Sequence, residues 1–179
     1  MSGPLDGLTI IEASQVMPGA IASVLLADHG AEVVKIEPPG GAYFAHDLTR
    51  KGWDRGKKSI TLDLNSDTDR ATLKQLIARA DVFIHSLGAE GAKSLGLDQA
   101  TLAQENAGIV VCDINAYGSE APFADRPYGE SLAAARLGAM IDKSSQMRPG
   151  PVYLVHPALH YGQAFLAAIG ILAALRARH

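Results

Sequence analysis

Apolar runs rich in β-branched residues alternate along the chain with segments of helical period, the pattern of a parallel sheet joined by crossover helices. Residues 8–13 (LTIIEA) predict a first strand. A helix follows over residues 18–29, with Ile21, Val24, Leu25 and Asp28 on its period and Gly30 where a C-cap belongs. Residues 32–37 (EVVKIE) predict a second strand, closed by Pro38-Pro39-Gly40-Gly41, a cluster that neither continues a strand nor starts a regular helix. Residues 42–58 then carry little periodicity, and a connection of that length is a first place to look for a site.

Residues 59–64 (SITLDL) alternate as a third strand, and Asn65-Ser66-Asp67 offers caps for a helix running to about residue 80 with Leu73, Leu76 and Ile77 inward. Residues 81–87 predict the fourth strand. Residues 89–106 predict one or two short helices broken at Gly96-Leu97-Asp98, and residues 108–116 (GIVVCDINA) the fifth strand, whose continuous hydrophobicity points to the sheet interior. Beyond it, 118–127 is turn-rich, 129–142 a small-residue helix, 143–150 a polar loop and 152–155 a last short strand. Residues 160–178 close with a helix whose apolar face is Phe165, Ala168, Ile169, Leu172 and Leu175. The fold class is α/β: one Rossmann-like domain over residues 1–179, with an open, mostly parallel sheet flanked by helices.

Composition narrows the functional classes. With 179 residues, 47% of them hydrophobic, the chain can bury a core without disulfides or a structural metal. Sixteen Lys+Arg against nineteen Asp+Glu give a net charge of −3, so neither nucleic acid nor an anionic membrane surface is an expected partner. The one cysteine, Cys112, sits in an apolar run and can form no internal disulfide; it reads as an inert thiol and favours a cytoplasmic location. The start Met1-Ser2-Gly3-Pro4 lacks the basic and apolar regions of a signal peptide. The longest low-charge stretch, residues 164–175, falls short of the roughly 20 residues that span a bilayer, so no transmembrane helix is expected.

The first strand-to-helix turn, Ser14-Gln15-Val16-Met17-Pro18-Gly19, lacks G-x-G-x-x-G, which disfavours a nicotinamide-dependent oxidoreductase. There is no P-loop, G-x-S-x-G, C-x-x-C or H-E-x-x-H. The histidines at 29, 46, 85, 156, 160 and 179 show no metal spacing except His156 and His160, between which Pro157 interrupts a shared helical face; no metal is expected. The turn at residues 15–19 opens a helix, where free N–H groups suit an anion. Arg50, Lys51, Arg55, Lys57 and Lys58, with Asp54 and Trp53 among them, form either a solvated face or a patch that captures phosphate. Tyr117 closes the fifth strand at the edge where open sheets bind ligands. His160 opens the last helix as a base, a capping group or a solvent-facing side chain, and only tertiary contact could bring Glu130 or Asp142 to it.

The ordered motifs Pro4-Leu5-Asp6-Gly7-Leu8, Ala31-Glu32-Val33-Val34-Lys35-Ile36-Glu37-Pro38, Gly56-Lys57-Lys58-Ser59, Ala80-Asp81-Val82-Phe83-Ile84, Leu95-Gly96-Leu97, Pro122-Phe123-Ala124-Asp125-Arg126-Pro127 and Gly170-Ile171-Leu172-Ala173-Ala174-Leu175 resemble the family III CoA-transferases. That family includes formyl-CoA transferase, carnitine CoA-transferase and α-methylacyl-CoA racemase. The resemblance implies a large domain that binds CoA or acyl-CoA as substrate and acts with a small carboxylic acid. It also implies a small domain and a returning segment that this sequence lacks, so a homodimer or a CoA-transferase partner subunit is expected to complete it. By position it assigns CoA contacts to Gln15, Val16, Met17, Ser86, Lys93 and Tyr117; Lys93 stands beside Ser94, where the family carries an arginine. The family's nucleophilic aspartate falls on His160, ten residues before Gly170. The histidine used by the racemases falls in Tyr128-Gly129-Glu130. An acylimidazole hydrolyses readily and does not easily reproduce an anhydride-to-thioester cycle. The expectation is therefore a diverged CoA-binding domain, catalytically impaired as an isolated chain; the alternative is a non-catalytic structural or regulatory pseudo-subunit.

Overall fold

Strict alternation along three strands sorts the core into two layers. On β1 (Thr9–Ala13), Ile10 joins one apolar cluster and Ile11 and Ala13 the other. The same division runs through β2 (Glu32–Glu37), with Val33 set against Ile36, and β4 (Val82–His85), with Val82 and Ile84 set against Phe83. Period-2 geometry sends these side chains to opposite faces of the sheet. The computed structural model describes residues 3–41, 50–118, 129–142, 149–153 and 157–178. The predicted turns at 118–127, the loop at 143–150, the strand at 152–155 and much of the 42–58 segment lie wholly or partly outside these residues, as do His46, Tyr128, His156 and His179.

In chain order the remaining elements are α1 (Met17–Asp28), α2 (Arg50–Trp53), β3 (Lys58–Thr61), α3 (Asp67–Ile77), α4 (Gly88–Leu95), α5 (Gln99–Leu102), β5 (Val110–Asp113), α6 (Glu130–Arg136), α7 (Ala139–Asp142) and α8 (Ala158–Ala177). Five parallel strands form one sheet in the order β3-β2-β1-β4-β5, the strand order of a doubly wound sheet. Leu73 and Ile77 of α3 and Leu102 of α5 cover one face; Leu26 of α1 and Ile171 and Leu175 of α8 cover the other. Pairing of Ala13 with His85 and of His85 with Asp113 brings the carboxyl ends of β1, β4 and β5 level.

Four expectations are corrected. β5 is an edge strand of the described sheet, flanked only by β4. It reads as an interior strand because both its faces are covered: Val111 packs with the α3 cluster, and Val110 and Cys112 with the α8 cluster. The predicted helix at 129–142 is two, α6 and α7, parted at Gly138, whose φ of +75° a side chain would strain. Along α8 the buried residues are Ala164, Ala168, Ile171 and Leu175, whereas Phe165, Ile169 and Leu172 of the predicted face are 52%, 62% and 40% exposed. The helix is apolar on every side, so period alone could not select the inward face. By length and composition the 20-residue α8 is long and apolar enough to cross a bilayer, contrary to the shorter stretch counted from the sequence; here one of its faces packs on α1 and β5.

Candidate functional site

The turn from β1 to α1 is held by short-range bonds. Val16 N–H donates to Ser14 Oγ at 3.3 Å, and Gln15 N–H donates to Ser86 Oγ at 2.9 Å, which ties the β1 turn to the turn after β4. Two of the sequence-predicted contacts, Gln15 and Ser86, thus meet where the strand order reverses, the place at which open sheets bind ligands. A Cβ on Gly19 would overlap the Ser14 side chain, so only glycine lets α1 start this close to the strand. Val16 is the N-cap in extended conformation, with no side-chain cap and no acidic residue in the first turn. Met17 is buried with Ile21, Ala22 and Ala164, and Tyr161 and Trp53 pack against that cluster; its side chain belongs to the core and anchors the head of α1 to the head of α8.

Lys93 is exposed in the last turn of α4. Three residues of the basic run are each engaged by a carboxylate. Lys57 is buried against Glu12 at 2.9 Å, Lys58 pairs with Glu32 at 2.7 Å, and Arg55 pairs with Asp28. Trp53 packs against the Met17 cluster.

Sequence reasoning missed a polar pair at the carboxyl ends of β4 and β5. His85 is buried, with Nδ1 3.3 Å from Asp113 Oδ1 and Leu87 N–H 3.3 Å from the same nitrogen. Burial pushes the Asp113 carboxyl up, but the adjacent His85 imidazole and a hydrogen bond from the Asn115 amide outweigh it and hold the group below its usual range. The signal available in the sequence was a polar residue interrupting each of two apolar strands. Cys112 beside it is half-buried, and its thiol is pushed up to about 11 by burial and then by Asp113, consistent with an inert role.

His160 lies in the first turn of α8, at a cavity of about 310 Å³ between α6, α8 and Ala116. Glu130, the first residue of α6, lines the same cavity. The Tyr153 hydroxyl donates to the Glu130 carboxylate, while Glu130 Oε2 is buried and accepts no hydrogen bond among the described residues. Burial lowers the His160 pKa, and the Glu130 charge draws it part of the way back. The carboxylate absent from the neighbourhood of His160 in sequence is therefore supplied through space, 30 positions earlier in the chain. Tyr117 lines an adjoining cavity of about 280 Å³ with Arg136, the two cavities sharing Ala116, Ala133 and Leu137. No group of three metal-ligating side chains occurs among the described residues.

A parallel doubly wound sheet with polar groups gathered at its carboxyl edge defines the class: an α/β domain of the doubly wound type, in which that edge is where ligands characteristically bind. Comparison with known proteins gives the family. The profile of CoA-transferase family III matches residues 5–179, and the chain belongs to that family. It is 32% identical to succinyl-CoA:mesaconate CoA-transferase of Haloarcula hispanica, over 98% of this chain and 48% of that protein. It is 29% identical to human alpha-methylacyl-CoA racemase, over 96% of this chain and 44% of that one. The crystal structure of an aspartate-to-alanine variant of Rv3272 from Mycobacterium tuberculosis superposes with a TM-score of 0.91 at 28% identity, covering 99% of this chain and 50% of that one. The chain spans about half the length of the curated relatives it matches.

Proposed function

We propose that the chain is the CoA-thioester-binding half of an acyl-CoA:carboxylate CoA-transferase, one in which CoA transfer is impaired while the chain acts alone. The observation that carries this reading is the head of α8, where an imidazole with a lowered pKa, not a carboxylate, faces the cavity. The junction of Gln15 and Ser86 at the mouth of β1 and β4, with the uncapped N–H groups of α1 beside it, suits a thioester oxygen or a phosphate of CoA. Tyr117 and Arg136 at the adjoining cavity extend that polar track. CoA and acyl-CoA are the substrates in this account, a small carboxylic acid is the acceptor, and a cytoplasmic setting fits the single inert thiol.

A second reading has its own observation. Leu132, Leu137, Ile141, Phe165, Leu166 and Ile169 are each more than half exposed on α6, α7 and α8, an apolar surface of the kind that a second chain covers. The chain would then be a non-catalytic pseudo-subunit, in a homodimer or beside an active CoA-transferase; one relative is named as the alpha subunit of a succinyl-CoA–L-malate CoA-transferase. Thioester exchange from acetyl-CoA to a carboxylate, assayed for the wild type and for His160→Asp, tests the pair. Activity that appears only in the aspartate variant supports an intact CoA site without its nucleophile. Turnover by the wild type alone overturns the impairment, and inactivity of both favours the pseudo-subunit.

A further inference from the structure

The cavity at the head of α8 has walls of one character. Ala116, Ala133, Leu137, Leu159 and Leu166 form its apolar lining, and its polar side chains are Glu130, His160 and Gln163. The Gln163 amide is already donating to Asn115 O at 2.5 Å. No lysine or arginine lines it among the described residues; Arg136 lines the adjoining cavity instead. Glu130 is the one acidic residue among the described residues that line it, and its carboxylate accepts the Tyr153 hydroxyl.

An acyl group that ends in a carboxylate would give up water on entering this apolar lining, meet no cation among the described residues, and come up against the Glu130 carboxylate. A hydrocarbon acyl group has no such cost and gains burial against alanine and leucine. At about 310 Å³ the space is roughly twice the ~150 Å³ that accommodates benzene, ample for a short or branched acyl chain. Resting on the CoA-thioester reading above, we infer that this cavity receives the acyl group and selects neutral, hydrocarbon acyl-CoA over acyl-CoA bearing a terminal carboxylate, with Glu130 as the residue that rejects the latter. Several relatives act, by their names, on succinyl, oxalate or glutarate groups, so the inference separates this chain from them.

Calorimetric titration of the full chain with CoA, butyryl-CoA and succinyl-CoA tests it, since the two acyl groups have equal carbon number and differ in the terminal charge. Butyryl-CoA should bind more tightly than CoA, and succinyl-CoA at least about tenfold more weakly than butyryl-CoA. Glu130→Gln should narrow that gap, and Gly162→Leu, at a position that lines this cavity but not the adjoining one and where a Cβ meets nothing within 4 Å, should remove the butyryl advantage while leaving CoA affinity in place. Equal or tighter binding of succinyl-CoA, or a gap unchanged in Glu130→Gln, overturns the selectivity. Failure of CoA itself to bind is a different result: it removes the CoA-thioester reading, and the inference with it.

Discussion

Glu12 and Lys57 form an ion pair whose side chains are 0% and 1% exposed, between β1 and the residue that leads into β3. Lys57 Nζ lies 2.9 Å from Glu12 Oε2 and donates also to Ala20 O at 2.9 Å, while Ser23 Oγ donates to the same carboxylate oxygen at 3.0 Å. Burial drives the Lys57 pKa down by more than Glu12 and Asp54 draw it up, so the ammonium depends on its partner. Lys57→Met leaves a carboxylate out of water with Ser23 as its remaining donor, and breaking a buried pair from one side costs about 3–5 kcal/mol. Against a typical domain stability of about 5–15 kcal/mol that is a large fraction. With a urea slope of about 2 kcal/mol per molar, the unfolding midpoint should fall by roughly 2 M, read by circular dichroism. The double change Glu12→Leu with Lys57→Met removes both charges and should recover most of the loss. A cost below about 1 kcal/mol for Lys57→Met is what an exposed pair would give, and it would refute a sequestered pair at this position.

Gly19→Ala should destabilise by about 1–3 kcal/mol, seen as a lower Tm, because its methyl group overlaps Ser14. Leu73→Ala should cost about 2–5 kcal/mol, whereas Leu166→Ala, at a position 71% exposed, should stay within about 0.5 kcal/mol in the same denaturant titration. The His160 pKa lies below its ordinary 6.5 in the folded chain, so protonation favours the unfolded state; stability present above that pH should decline as the pH falls below it, and His160→Gln should flatten the decline. Asp113 is held below its ordinary 3.8, and the stability it adds should persist above that pH and vanish as pH falls through its folded value, a separate, more acidic step that Asp113→Asn removes.

The alternation of apolar strands and helical segments was enough to place all five strands, because each strand's burial follows from its own residues. Lateral order was not legible for β5, since an edge strand with both faces covered has the same hydrophobicity as a central one. The inward face of α8 was not legible either: small and large apolar residues occur both among its buried positions, Ala164, Ala168, Ile171 and Leu175, and among its exposed ones, such as Phe165, Ile169, Gly170 and Ala173. His160 could be marked from the sequence, but its neighbours Glu130 and Tyr153 come from separate segments that only the folded chain brings together. The basic residues at 55–58 look like a patch in one dimension because Asp28, Glu12 and Glu32, which engage them, precede them by more than 20 residues.

The claim that a CoA-thioester site survives in this half-length chain rests most directly on one titration. Calorimetry of the purified, folded chain with CoA and with acetyl-CoA should give saturable heats for both. Flat traces from both ligands, with circular dichroism showing an intact fold, would contradict it and leave protein partnership as the role that the family's fold serves here.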